Sequence, residues 1–144
     1  MPKYARLAVD YSLARQFYQK MKKIGKKPAE VVTAVLSTAV EVVDHGYDPI
    51  DMIHICRIVR ALGVGRGGYS QGLAAGRQLR LYYTPAEFLE ILTRVGPKAL
   101  GLYKTGPDTY KADPETAETI KGLLAGIGCH VEQDGNYIKP KCTL

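Results

Sequence analysis

The feature that most constrains this chain is a change of polarity period within its first 46 residues. Tyr4 to Asp10 alternates, with Ala5, Leu7 and Val9 on one side and Tyr4, Arg6 and Ala8 on the other. That is the period of a half-buried strand. From Ser12 the apolar residues Leu13, Phe17, Met21 and Ile24 recur at helical spacing, and Gly25 ends the run as a C-terminal stop. Pro28 suits the first position of a second helix. On it Val31, Val32, Val35, Leu36, Ala39, Val40 and Val43 form a stripe too wide for packing on one neighbour, and Gly46 closes it. A lone strand leaves N–H and C=O groups unpaired along both edges and needs a partner. No second strand lies nearby in the sequence. Pairing with the same strand of a second copy is the economical solution, and it would explain the wide stripe. The competing expectation is a strand paired with a C-terminal hairpin in a single α+β domain.

Charge points to the same segment. The chain of 144 residues carries a formal net charge of +6. Residues 1–28 hold eight basic residues (Lys3, Arg6, Arg15, Lys20, Lys22, Lys23, Lys26, Lys27) against one acid, Asp10. The remainder holds twelve basic and thirteen acidic residues, so the whole excess lies in the head. A basic head on a near-neutral body suggests an anionic partner, nucleic acid before membrane. A solvated lysine-rich helix face is the plainer account.

Downstream, Asp48-Pro49 caps a third helix with Asp51 in its first turn, and Ile50, Ile53, Ile58 and Leu62 among its apolar residues. Gly63 to Gly76 is glycine-rich and reads as a loop or broken helix. Thr84-Pro85-Ala86-Glu87 is a capping box opening a helix through about Val95. Lys98 to Lys111, around Gly106-Pro107-Asp108, reads as a hairpin. A further helix starts at Asp113-Pro114-Glu115 and ends near Gly126 to Gly128. Cys129 to Lys139 reads as a second hairpin turning at Asp134-Gly135. Ile91 to Gly96 and Leu123 to Gly128 are slightly similar, each preceding a hairpin, which suggests a duplicated plan.

One strand, two helices and a basic head resemble the ribbon–helix–helix family of transcriptional regulators over about residues 3–45. The residues that carry the resemblance are Ala5, Leu7 and Val9, then Leu13, Phe17 and Met21, the turn Ile24-Gly25, and Lys26-Lys27-Pro28-Ala29-Glu30-Val31-Val32. The resemblance implies that Tyr4, Arg6 and Ala8 read bases in the major groove from a dimeric antiparallel ribbon. It also implies that Lys23, Lys26, Lys27 and Ala29 meet phosphate at the start of the second helix. Arg6 is the strongest of these, because its fork can bond guanine O6 and N7 together. Ala8 and Lys27-Pro28 depart from the family pattern, which has a polar reader and a hydroxyl cap at those places.

Other signals are weaker. Gly63-Val64-Gly65-Arg66-Gly67-Gly68 matches a dinucleotide pattern that needs a preceding strand, and a hinge or close helix packing accounts for it better. Arg66, Arg77 and Arg80 are candidates for an effector-anion site, within an acid-free stretch that also holds Arg57 and Arg60. Cys129, His130 and Cys142 fit no standard zinc spacing, and three widely spaced cysteines argue against a disulfide framework. Cys129 reads as a small core residue, and His45 and His54 as structural. There is no nucleophile–base pair and no paired carboxylate, so neither an enzyme nor a cofactor is expected. No apolar run reaches the length of a membrane span and the N-terminus has no signal-like apolar region. One asparagine and five glutamines hint at a thermophilic source.

The expected fold class is α+β. An N-terminal ribbon–helix–helix (β-α-α) dimer module spans 1–46, and a helical, glycine-rich middle then leads into an α-ββ-α-ββ part. Residues 47–144 would serve oligomerisation or effector sensing. The expected function is a cytoplasmic, homodimeric regulator of transcription that binds double-stranded DNA in a sequence-specific manner. The alternatives are an antitoxin-type interaction module and a nucleotide- or anion-binding protein using Gly63 to Gly68.

Overall fold

The computed structural model describes residues 5–63 and 67–143, so Tyr4 and Arg66 lie outside the described residues. Chain contacts divide the protein into two units, Met1–Tyr47 and Asp48–Leu144.

In the first unit, α1 spans Tyr11–Lys23 and α2 spans Pro28–Asp44. The Asp10 carboxylate accepts the Leu13 amide at 2.9 Å and starts α1. Gly25, at φ +74°, turns the chain between the helices, and the Lys26 amide returns to the Met21 carbonyl at 2.9 Å. Residues 5–10 form no strand: they are neither helical nor paired, and both sides of the segment are exposed, Leu7 at 60% and Arg6 alike. The N-terminal β-α-α start is therefore corrected. Among the described residues every strand lies beyond residue 100, after five helices have been completed. Alternation alone cannot hold a strand, because an extended segment without a ladder has nothing to satisfy its backbone.

The second unit is helix-rich α+β. It runs α3 (Pro49–Leu62), α4 (Tyr69–Leu79), α5 (Pro85–Ala99), β1 (Leu102–Lys104), β2 (Tyr110–Ala112), α6 (Ala117–Ile127), β3 (His130–Asp134) and β4 (Tyr137–Lys141). Side chains start two of the helices: Asp48 accepts the Ile50 amide at 2.8 Å and Thr84 accepts the Glu87 amide at 3.2 Å. The four strands form one antiparallel sheet in the order β1-β2-β4-β3. Its register is approximately two-fold symmetric about the Tyr110–Ile138 pair, which matches Leu102 with Val131 and Ala112 with Pro140. Leu102, Tyr110, Ala112 and Ile138 point inward to a core shared with Phe88, Leu92, Ile120 and Leu123.

One expectation about this unit is resolved and another corrected. The glycine-rich stretch, expected as a loop or broken helix, is interrupted after α3 and continues as helix α4 from Tyr69, whose glycines face α6. A Cβ on Gly76 would come within 2.9 Å of the Gly126 Cα and the Ile127 amide. Gly72 and Gly122 likewise meet only opposing backbone, so two helices with glycine every fourth residue approach until backbones touch. Cys129 and Cys142 are joined in a disulfide that closes the β3–β4 hairpin, while Cys56 is free and exposed. Their separation of 13 residues looked unrelated in sequence, yet the register brings the two ends of the hairpin together. α5 also continues to Ala99, past Pro97, four residues beyond the expected end.

Candidate nucleic-acid interface

The basic head is organised by the end of α1 and the turn that follows. Lys20, Lys22 and Lys23 occupy the last turn of α1, where a cation is favoured by the negative end of the helix dipole. Lys26 and Lys27 continue the series across the Gly25 turn, so five lysines fall within residues 20–27. All five are exposed, and among the described residues none forms an ion pair. They therefore present a concentrated, unneutralised positive surface.

The start of α2 adds less than the resemblance implies. Lys27 occupies the cap position without a side-chain hydrogen bond, and Pro28 has no N–H to offer. The Glu30 and Val31 amides both turn back to the Lys27 carbonyl, at 3.1 and 3.2 Å. Of the first turn, Ala29 keeps an amide without an intrahelical partner, and Glu30 places a negative charge beside it. Lys23, Lys26 and Lys27 are thus brought together with Lys20 and Lys22, while Ala29 contributes one backbone donor at most. Lys20 and Lys22 were missing from the expected site, although the count of basic residues already included them.

Arg6 and Ala8 are exposed on the segment leading into α1. They lie at the opposite end of that helix from the lysine cluster, and 13 residues at 1.5 Å each separate the two ends by about 20 Å. That distance corresponds to roughly six base pairs along a duplex.

Of the candidate effector arginines, Arg77 and Arg80 fall among the described residues. Arg77 is exposed, and Arg80 is occupied structurally, with its Nε donating to the Ile127 carbonyl at 3.3 Å. The dinucleotide pattern is preceded by helix α3 rather than a strand, and the Gly68 amide is used by the Thr119 hydroxyl at 2.8 Å. Among the described residues no group of His, Cys, Asp and Glu could hold a metal ion. No described helix is long and apolar enough to cross a membrane.

A second polar cluster joins α3 to the turn before α5. The Tyr83 hydroxyl lies 2.6 Å from His54 Nδ1 and accepts from Arg57 at 3.2 Å. Arg57 also stacks over the Tyr82 ring at 4.7 Å. With its oxygen taken by Arg57, the tyrosine can give its proton to Nδ1, which requires neutral histidine. Burial lowers the His54 pKa, and the nearby positive charges of Arg57 and Arg94 lower it further against the opposing pull of Asp51 and Asp48. Arg94 is itself held by Asp51 at 3.1 Å. The cluster fastens helices together. A shallow cavity of about 440 Å³ nearby is lined by Leu89, Glu90, Thr93, Arg94, Lys104 and Tyr110 among others. The Thr93 and Tyr110 hydroxyls in it bond each other at 2.9 Å.

Comparison with protein-family models, curated proteins and solved structures gives no match to this chain.

Proposed function

We propose that the chain is a double-stranded DNA-binding regulator of transcription that acts as a homodimer. The observation that carries this reading is the cluster of five exposed, unpaired lysines at residues 20–27. Phosphate is the partner such a cluster suits, and neutralising it releases counterions. Arg6, on the segment leading into α1, supplies a guanidinium that can discriminate guanine. The reading includes no catalytic step and no cofactor.

The second copy is supported by what the first unit leaves uncovered. On α2, Val35, Val40 and Val43 are more than half exposed, and Val32 and Leu36 are only partly covered. Leu7, Val9, Leu13 and Ile24 add to the same unit's exposed apolar surface. Each such side chain is worth about 1.5–3 kcal/mol when fully buried, so a self-complementary partner gains most by covering this stripe. The proposed setting is the cytoplasm of a thermophile, where a disulfide persists inside cells.

The test is a titration of fluorescent duplex DNA at several salt concentrations, with sedimentation to measure mass. The parent should bind as a dimer, with log K falling by about 0.9 per phosphate contact for each unit of log salt. Lys26→Ala with Lys27→Ala should flatten that slope on every duplex, and Arg6→Ala should weaken a selected site more than a scrambled one. A monomeric parent, or a slope unchanged by the lysine pair, would sink the proposal.

A further inference from the structure

The open face of the sheet carries a pattern that the reading above does not use. Inward residues alternate with outward ones along β1, β2 and β4, and cross-strand pairs share a face. Tyr103 pairs with Lys111, and Lys111 pairs with Tyr137. One row across three strands therefore reads Tyr–Lys–Tyr on the outward face. Tyr103 and Tyr137 remain 49% and 46% exposed, so their rings are not consumed by the core. With neighbouring strands about 4.8 Å apart, the two tyrosines stand roughly 10 Å from each other on either side of the lysine.

The rest of the face is polar. Lys139 and Lys141 continue a column of positive charge along β4. Opposite them on the edge strand β3 stand Glu132, facing Lys139, and His130, facing Lys141, while Asp134 faces Tyr137. The acids are thus confined to one edge, and Lys111 has a tyrosine rather than an acid on both sides. The paired strand residues on this face include no aliphatic side chain, so its exposed apolar surface is that of the two tyrosine rings. Two exposed aromatic rings flanking a cation are what a nucleic-acid strand with accessible bases requires. The rings stack on bases and the lysine column follows the phosphates. Bases inside a duplex keep their faces covered and could not use the tyrosines.

We propose that the open sheet face of the second unit binds single-stranded nucleic acid, with Tyr103 and Tyr137 each stacking a base and Lys111, Lys139 and Lys141 meeting its backbone. This surface is independent of the lysine cluster of the first unit and takes a different ligand.

The experiment uses the full chain and a fluorescein-labelled oligothymidylate of about twelve nucleotides, within the usual footprint of such platforms. Anisotropy is read at one fixed salt concentration, and a melting curve checks that each variant is folded. Tyr103→Ala with Tyr137→Ala should weaken oligonucleotide binding by about tenfold per tyrosine and leave duplex binding unchanged. Tyr103→Phe with Tyr137→Phe should retain binding, because stacking needs the ring and not the hydroxyl. Lys26→Ala with Lys27→Ala should preserve the tyrosine-dependent signal. The proposal is overturned if the parent does not bind the oligonucleotide, if the alanine pair binds as well as the parent, or if the phenylalanine pair loses as much as the alanine pair. Binding of polyglutamate that depends on the same two tyrosines would overturn it as well, reassigning the face to an acidic protein.

Discussion

Among the described residues of the second unit eighteen apolar side chains are buried, from Ile58 to Ile138, whereas neither helix of the first unit has a buried residue. The difference is not one of composition, since α2 is as rich in valine and leucine as any helix in the chain. Two helices joined by one turn offer each other a single seam, and a small unit buries too little surface to offset its chain entropy alone. The second unit surrounds α6 with α4, α5 and the sheet, so the same kind of side chain finds neighbours on every side. Apolar patterning therefore calls for burial without saying whether the cover comes from the same chain.

Substitution of matched apolar residues tests this comparison most strongly. Leu92→Ala, at a fully buried position, should cost about 2–5 kcal/mol in urea unfolding at any protein concentration. Val40→Ala, 59% exposed in the single chain, should cost little in dilute protein and progressively more as concentration rises. A concentration-independent loss at Val40 would show that the first unit finds its cover without a second copy.

Removal of the disulfide comes next. Cys129→Ser with Cys142→Ser opens a loop spanning 13 residues and should lower the stability of the second unit by about 3 kcal/mol. The helices of the first unit should keep their circular-dichroism signal at temperatures where that hairpin is lost. Coupled loss of both would mean that the two units do not unfold separately.

A smaller effect is expected where α4 meets α6. Gly76→Ala sets a methyl against the Gly126 and Ile127 backbone, and overpacking of this kind costs about 1–3 kcal/mol. Gly46→Ala, at φ +83° with open space around it, should be penalised for its left-handed backbone alone, by about 1 kcal/mol. Equal losses at both positions would remove close helix approach as the reason for glycine in α4.

The smallest effect concerns pH. The folded pKa of His54 lies below its ordinary value of 6.5, so the unfolded chain takes up the proton first. The stabilisation is complete above that value and is lost as pH falls through the lowered folded pKa. Thermal melts of the parent should decline over that acidic range, and His54→Gln, which cannot titrate, should flatten the decline. A decline that persists unchanged in the variant would assign it to other groups.

How much of this was legible in the sequence differs by element. The Asp134-Gly135 turn and the Thr84 cap stand where their local chemistry placed them, whereas close packing was expected at Gly63 to Gly68 and the glycines pressed on the α6 backbone are Gly72 and Gly76. The N-terminal strand was not a sound inference, because alternation at Ala5, Leu7 and Val9 states a preference that a missing partner strand cannot fulfil. In the candidate interface, the lysines of residues 20–27 were readable as charge, but their grouping at one end of α1 required the turn at Gly25. The Tyr103–Lys111–Tyr137 row was invisible, since residues 103 and 137 become neighbours of one lysine only through the order β1-β2-β4-β3.

What the sequence determined by itself is whatever depends on a few consecutive residues. Asp48 and Thr84 cap helices, glycines with positive φ end them, and the basic residues concentrate in the first 28 positions. Such features rest on interactions spanning three or four residues, which the order of side chains dictates directly. The tertiary structure decided the rest: that residues 5–10 do not form a strand, that Gly72 and Gly76 belong to a helix pressed on α6, and that Cys129 reaches Cys142. Each of these depends on which distant backbone arrives alongside, and that is set by the packing of the whole core rather than by any local preference.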